Sequence, residues 1–340
     1  MPDLEKIPLV SFCMSTYKRP ELLKETLNTI CRQNFPDFEV IISDNDPENS
    51  AQNIVSNIKD PRFKYFSNGK NLGMIQSFNL SVERASAEYI IMLADDDPVY
   101  YDMTEILVNL TELYPGYGMY LGGCDWFCPD VDIARMHKLN IGTNSCLSNE
   151  FNLNHVQTFT AEEFLTLFFS FKIFPHYLWS TCMVRKSIII EKGGIPDYGT
   201  PFLGDYAYLS IMSSHSGCVV INRSLGCQTV HSENFGRNQN DQLVTAVRKF
   251  PEYVGERLKH LPLWPSIEKQ MLNFVGLWVV SHLAFLNTHF RKGNDNSLRN
   301  AQTEIFKIDY MKKHKLKYKL KKHTPIIHDQ IVSLKKRLNK

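Results

Sequence analysis

From residue 9 the chain alternates between two patterns. LVSFCMS (9–15) is a short apolar run without helical period, and PELLKETLNTICRQ (20–33) then carries apolar residues at i, i+3, i+4 and i+7. That predicts a strand followed by a helix. The alternation continues with FEVIISD (38–44) as strand, AQNIVSNI (51–58) as helix, FKYFSN (63–68) as strand, NLGMIQSFNLSVERASA (71–87) as helix and EYIIML (88–93) as strand. Strands that are apolar throughout, separated by helices, belong to a mostly parallel α/β sheet covered on both faces. In such sheets ligands sit beyond the carboxyl ends of the strands.

The second half is less regular. GMYLGGCDWF (118–127) predicts a strand, and the polar stretch that runs from there to about 155 shows no period, which suits an acceptor-binding insertion. TAEEFLTLFFSF (160–171) is a helix with Thr160 as N-cap and Glu163 closing a capping box. LWSTCMVRK (178–186) reads as a strand, DYAYLSIMSSHSG (205–217) as a helix ended by Gly217, and CVVINRSLGCQTVH (218–231) as one or two strands. From about 240 the pattern is helical. The expected organisation is therefore an α/β domain over 1–238, with halves at 8–100 and 101–238, followed by a helical region over 239–340.

Composition changes this picture at a few points. With 340 residues, 43% of them apolar, the chain can bury a sizeable core, and a net charge of +2 excludes nucleic-acid binding by bulk electrostatics. The positive charge is concentrated at the end: residues 311–340 hold ten lysines and Arg337 against the single Asp329. A basic, partly amphipathic end of this kind can lie on an anionic membrane, although a solvated helical face has the same composition. MPDLEKIPLVSF lacks the basic start and cleavage site of a secretory signal, so a cytoplasmic location is expected, at the inner face of the membrane if the basic end binds lipid. The apolar stretch 271–286 is broken by Asn273, Ser281 and His282 and falls short of the ~20 residues a crossing needs. It predicts a buried or membrane-surface helix. The eight scattered cysteines read as small buried hydrophobes, and Cys124, Cys128, His137 and Cys146 fit no standard zinc spacing.

The candidate chemistry begins at IIMLADDDPV (90–99), where an apolar strand ends in Asp95, Asp96 and Asp97. Like charges this close repel by about 1 kcal/mol per pair in water and by more where solvent is excluded, so a cation is expected among them. Mg2+ or Mn2+ takes one or two carboxylates plus substrate phosphates. If the strand geometry continues, Asp95 and Asp97 share a face and Asp96 turns away or meets another part of a ligand. A competing account makes Asp97-Pro98 a helix cap and first-turn proline, with Asp102 and Glu105 as a second cap. Thr16 and Tyr17 after the first strand and Asp44 at the end of the second would open onto the same crevice. The STYKRP loop there carries no glycine-rich phosphate cradle, which disfavours dinucleotide and P-loop sites.

PLVSFCMSTYKRPELLKETL, FEVIISDN and NLGMIQSFNLSVERASAEYIIMLADDDPV, in that order and spacing, resemble the nucleotide-binding half of family 2 glycosyltransferases of the Rossmann-like GT-A fold. The resemblance is clear over 8–100 and weaker to about 235. It implies a nucleotide-diphospho-sugar donor, with a UDP-sugar favoured, a divalent Mn2+ or Mg2+, and inversion at the anomeric carbon. By the same resemblance Thr16 and Tyr17 belong to the loop around the nucleobase, Arg19 joins the nucleotide-sugar-binding set, and Asp44 bonds the base. Asn71 and Gly73 match the turn into the helix under the nucleotide, Asp95 and Asp96 the ribose and phosphate side, and Asp97 the metal-holding aspartate. Asp46-Pro47-Glu48 departs from the family pattern beside the base-binding loop.

An acceptor hydroxyl is a weak nucleophile, and a positioned base is worth typically 10²- to 10⁴-fold. Asp205 in PFLGDYAYL stands where the family carries a glutamate-aspartate pair, with Gly204 in place of the glutamate. It is the candidate base; a helix cap is the plainer role. His231 is a candidate second metal ligand, with an ordinary structural histidine as the alternative. Trp179 is a candidate surface for the acceptor sugar, and Trp126 a second, although such rings are core residues as often. The implied acceptor is a saccharide, lipid-linked in the case of bacterial surface-polysaccharide assembly. Two other readings fit the acidic strand end: a metal-dependent nucleotidyltransferase, which the missing triphosphate loop disfavours, and a non-catalytic nucleotide-sugar or carbohydrate-binding protein.

Overall fold

The structure, a computed structural model, describes residues 7–148, 150–173, 177–234, 239–289 and 296–323. Strands β1 (Val10–Thr16), β2 (Phe38–Asp44), β3 (Phe63–Ser67) and β4 (Tyr89–Ala94) form on the apolar runs, separated by α1 (Pro20–Cys31), α2 (Gln52–Asn57) and α3 (Met74–Arg84). β1 pairs in parallel with β2 and β4, and β2 with β3. Every residue of β1 and β2 is buried, as a strand covered on both faces requires. In α1, Pro20 starts the helix with its φ already set, and Leu23, Thr26, Leu27 and Ile30 turn inward at helical spacing.

Past β4 the sheet becomes mixed. It continues through α4 (Met103–Leu113), β5 (Met119–Cys128), α5 (Val131–His137), β6 (Gly142–Asn144), β7 (Val156–Phe159), α6 (Ala161–Phe169), a 3-10 turn at Trp179–Thr181, β8 (Cys182–Arg185), α7 (Lys186–Glu191), α8 (Gly204–Ser216) and β9 (Cys218–Thr229). The strand order is β3-β2-β1-β4-β8-β5-β9-β7, with β6 beside β5. β8 runs antiparallel to β4 and β5, while β9 is parallel to β5. Thr160 and Glu163 form the expected capping box, and Gly217 ends α8 at φ 73.

Three local expectations are revised. Residues 178–186 are not one strand, because Trp179–Thr181 coils into a 3-10 turn in which Thr181 Oγ1 donates to the Gly122 carbonyl. The stretch up to 155 does hold structure: Asp130 caps α5 by accepting from the Asp132 and Ile133 amides, and Lys138 ends it at φ 58. Asp97 caps nothing, since α4 starts only at Met103, and Asp102 at its N-cap position turns its side chain to Arg223 instead of the helix amides.

The chain divides into two compact units. One comprises the residues up to Asp197 together with Leu203–His231; the other comprises Tyr198–Phe202 and the chain from Ser232. The second unit holds α9 (Asn240–Leu258), α10 (Trp264–His289), α11 (Asn296–Ile305), α12 (Asp309–Lys312) and α13 (Lys315–His323). The apolar run at 271–286 is a buried helix within α10, with Met271, Phe274, Val275, Val279 and Leu283 nearly sealed from solvent. Among the described residues no helix is long and apolar enough to cross a membrane. The expected lipid-binding end lies partly outside the described residues, from 324 onward. All eight cysteines are free, and all but Cys31 are buried.

Candidate active site

The parallel strands bring their carboxyl ends to one edge, and the chain changes direction there three times. Ser15 is in register with Ala94 and Thr16 with Asp44, so the residues just past β1, β2 and β4 are neighbours. Strand pairing stops at Ala94, and a turn carries Asp95 and Asp96. The expected alternation of side chains therefore does not extend through the three aspartates; each meets a different element.

Asp95 looks back to β1. Its Oδ2 accepts from Thr16 Oγ1 at 2.8 Å, its carbonyl accepts from Thr26 Oγ1 on α1 at 3.0 Å, and Arg19 Nη1 stands 3.5 Å from Oδ1. Asp96 lies between Arg19 Nη1, at 3.2 Å, and His231 Nε2, at 2.9 Å, both on Oδ2. Asp97 turns into the protein, where Oδ2 accepts from Ser180 Oγ at 2.7 Å and Oδ1 from the Thr229 amide at 3.3 Å. One guanidinium thus serves two of three clustered carboxylates.

Burial and this crowding show in the acidities. Burial, with the charge of Asp96 added, pushes the Asp95 carboxyl up to about 7 despite Arg19 and Thr16. Asp97 is raised well above the ordinary range by burial first, then by Asp96 and, beyond it, Asp205. Asp205 itself is raised to about 6 by burial, with the Trp179 amide opposing the shift by donating to Oδ1 at 3.2 Å. Asp97 and Asp205, more than a hundred positions apart in the chain, are both held by the 3-10 turn, Asp97 by the Ser180 hydroxyl and Asp205 by the amide of the adjacent Trp179, which brings the two carboxyl groups to the same part of the fold.

Asp205 is not the cap of α8. Leu203 holds that position in the left-handed conformation at φ 63, and Asp205 lies in the first turn. Trp179 is 5% exposed, its ring packed against Phe78 and Tyr208, so it meets the site through its amide and not through a ring face. Trp126 is partly buried against the small cluster around Ile133 and Val230.

The nucleotide-side residues are spread along the same edge. Tyr17 is 41% exposed beside Lys18, whose ammonium lies 5.6 Å from the ring centre. Asp44 is fully buried and committed to its own loop, accepting from the Asp46 and Ala51 amides and from Tyr65 Oη at 2.9–3.1 Å. Asn71 Oδ1 accepts from the Gly73 amide and from Asn45, and Gly73 takes φ 83 to open α3. A side chain at Gly73 would meet no atom, so its backbone conformation is what requires glycine.

Sequence reasoning missed the residues that hold these groups. Asn45 donates to Asn71 and accepts from the Leu72 amide, tying the β2 loop to the turn before α3. Ser180 and Thr229 hold Asp97, and Asp125 accepts from Tyr100 Oη and the Cys146 amide behind it. Polar residues inside otherwise apolar runs, as in LWST and GGCDWF, were the available signal.

Among the described residues no three His, Cys, Asp or Glu side chains form a metal cage by themselves. The donor set nevertheless fits a hard divalent ion: oxygen ligands, crowded negative charge, and an Asp97 carboxyl whose pKa burial and the neighbouring Asp96 charge raise well above the ordinary range. Such an ion usually takes the rest of its shell from substrate phosphates and water.

A sequence model of Glycosyl transferase family 2 matches residues 11–191, just over half of the chain. The chain belongs to glycosyl transferase family 2. Among curated members of similar sequence, GalNAc(5)-diNAcBac-PP-undecaprenol beta-1,3-glucosyltransferase of Campylobacter jejuni is 30% identical over 35% of this chain and 38% of its own. Abequosyltransferase RfbV of Salmonella typhimurium is 31% identical over 61% of this chain and 60% of its own. The chain thus spans less than two thirds of either relative. In fold, this family 2 chain is similar to Staphylococcus aureus TarS 1-349 in complex with UDP-GlcNAc, with a TM-score of 0.53 at 12% identity over 93% of both chains. It is also similar to the mannosyltransferase PcManGT of Pyrobaculum calidifontis in complex with GDP-Man and Mn2+, with a TM-score of 0.52 at 14% identity over 96% of this chain and 90% of that one.

Proposed function

We propose that this family 2 chain transfers a sugar from a nucleotide-diphospho-sugar, a UDP-sugar in the first instance, to a hydroxyl of a saccharide acceptor with inversion at the anomeric carbon. The observation that carries this is the placement of Asp97 and Asp205 on either side of one 3-10 turn, where Ser180 holds the first and the Trp179 amide the second, one carboxylate suited to a cation and the other to a proton. Thr16, Tyr17, Arg19, Asp44, Asn71 and Gly73 line the donor side, with Asp44 acting through the loop it braces. Asp97 would hold Mn2+ or Mg2+ with help from Asp96, and His231 joins the ligands if it gives up its bond to Asp96. Bound there, the ion supplies positive charge against the diphosphate that departs.

The remaining work falls to the chain's own side chains. Asp205 accepts the acceptor hydroxyl's proton as the oxygen attacks the anomeric carbon, and the Trp179 amide fixes the orientation of its carboxylate. Arg19 can exchange Asp95 or Asp96 for a phosphate oxygen, since a guanidinium binds either. The names of the two curated relatives, a lipid-linked oligosaccharide glucosyltransferase and an abequosyltransferase, support a surface-glycan acceptor, lipid-linked, in bacterial polysaccharide assembly.

The test is to incubate the protein with Mn2+, a panel of sugar nucleotides and saccharide acceptors, and to follow the anomeric proton by NMR. Release of nucleoside diphosphate with inverted configuration is the expected result. Release of pyrophosphate would mark a nucleotidyltransferase, and donor binding without turnover a carbohydrate-binding protein.

A further inference from the structure

The helical unit carries a polar cleft that the transferase chemistry does not use. One face of α10 supplies Ser266, Lys269, Gln270 and Asn273, and Lys313, just past α12, borders with them an open space of about 380 Å³. An ammonium only donates, so Lys269 and Lys313 can each meet an acceptor oxygen of a ligand in this space. The cleft's two lysines therefore ask for a ligand with an anionic group.

The rim extends this requirement. Lys313 lies in the turn between α12 and α13, and Leu316 and Leu320 follow it on α13, four residues and about one helical turn apart. Leu316 is 68% and Leu320 37% exposed. Residues 311–323 hold seven lysines and no carboxylate, and Lys315 and Lys319 flank the two leucines at the surface. Exposed leucines within a field of lysines suit the boundary between anionic headgroups and acyl chains, where apolar side chains insert and ammonium groups meet phosphate. A nucleic acid offers phosphate but no apolar layer for the leucines.

We propose that this face docks on an anionic bilayer, with the cleft between Lys269 and Lys313 taking the phosphate of a phosphatidylglycerol while Leu316 and Leu320 enter the interface. The site is separate from the transferase residues, and the proposal does not rest on the transfer reaction.

The test is co-sedimentation of the full chain with phosphatidylcholine vesicles, with and without added phosphatidylglycerol. Binding is expected only to the anionic vesicles and should fall with salt. A lysine near an anionic surface contributes about fivefold, so Lys269→Gln with Lys313→Gln should weaken binding about 25-fold. Leu316→Ser with Leu320→Ser should weaken it while leaving the salt dependence in place. These positions are at the surface, and unchanged thermal melting and unchanged far-UV circular dichroism would establish that the variants fold. Equal binding by the lysine pair variant and the parent would overturn the cleft assignment. So would absence of binding to anionic vesicles, or retention of single-stranded RNA in its place.

Discussion

Asp205 can accept a proton only when it is ionised, and burial holds its carboxyl up at about 6. Turnover under limiting substrate should therefore fall below that pH, tenfold per unit at the acid limit, and level off above it. Asp205→Asn should lower kcat by about 10²- to 10⁴-fold with donor affinity unchanged, as steady-state kinetics and calorimetry would report. The same shift has a consequence for stability. A carboxyl whose acidity is weakened by folding favours the folded state below its unfolded value near 3.8, and that contribution is lost as pH rises through about 6. Asp205→Asn should accordingly melt no lower than the parent at pH 8, where the parent carries a poorly solvated charge; a lower melting temperature would mean that the carboxylate is held by more than the Trp179 amide.

Elements decide whether the acidic turn is in place. β9 braces it by a bridge between Val99 and Gly226, with the Cys227 amide donating to the Pro98 carbonyl at 2.8 Å and the Tyr100 amide to Leu225 at 2.9 Å. A Cβ on Gly226 would stand 2.9 Å from the Pro98 carbonyl oxygen and 3.3 Å from Val99 Cα. Both neighbours are backbone, so Gly226→Ala should push the turn away from β9, lower the melting temperature and weaken metal-dependent donor binding together. Farther from the site, Thr160→Ala removes half of the capping box of α6. The expected cost is about 1 kcal/mol of stability, read from denaturant unfolding, with no change in donor affinity. The first half of the sheet was legible in the sequence because β1, β2 and β4 are mostly apolar runs without helical period, set between helices of clear period. The capping box was legible because its two residues are close neighbours in the chain. α5 and β6 were not, because neither is long enough to show a period, and only Asp130 as an N-cap marked where α5 begins.

At the scale of the molecule, the acidic turn could be read from its charges alone, and its need for a positive partner is met in part by Arg19. What could not be read is how the chain closes around it. Ser180, Thr229 and Asp205 come from segments far from residues 95–97, and a contact between distant segments leaves no periodic trace in a single sequence. The ring of Trp179 illustrates the same limit: an aromatic beside the site in the chain is a core residue in the fold. The central claim is that the aspartate turn grips a divalent ion and, through it, a nucleoside diphosphate. Calorimetric titration of UDP into the protein and into Asp97→Asn, each with and without Mn2+, tests it most directly. The account predicts Mn2+-dependent affinity in the parent and loss of that dependence in the variant. Affinity that is the same in all four titrations would contradict it.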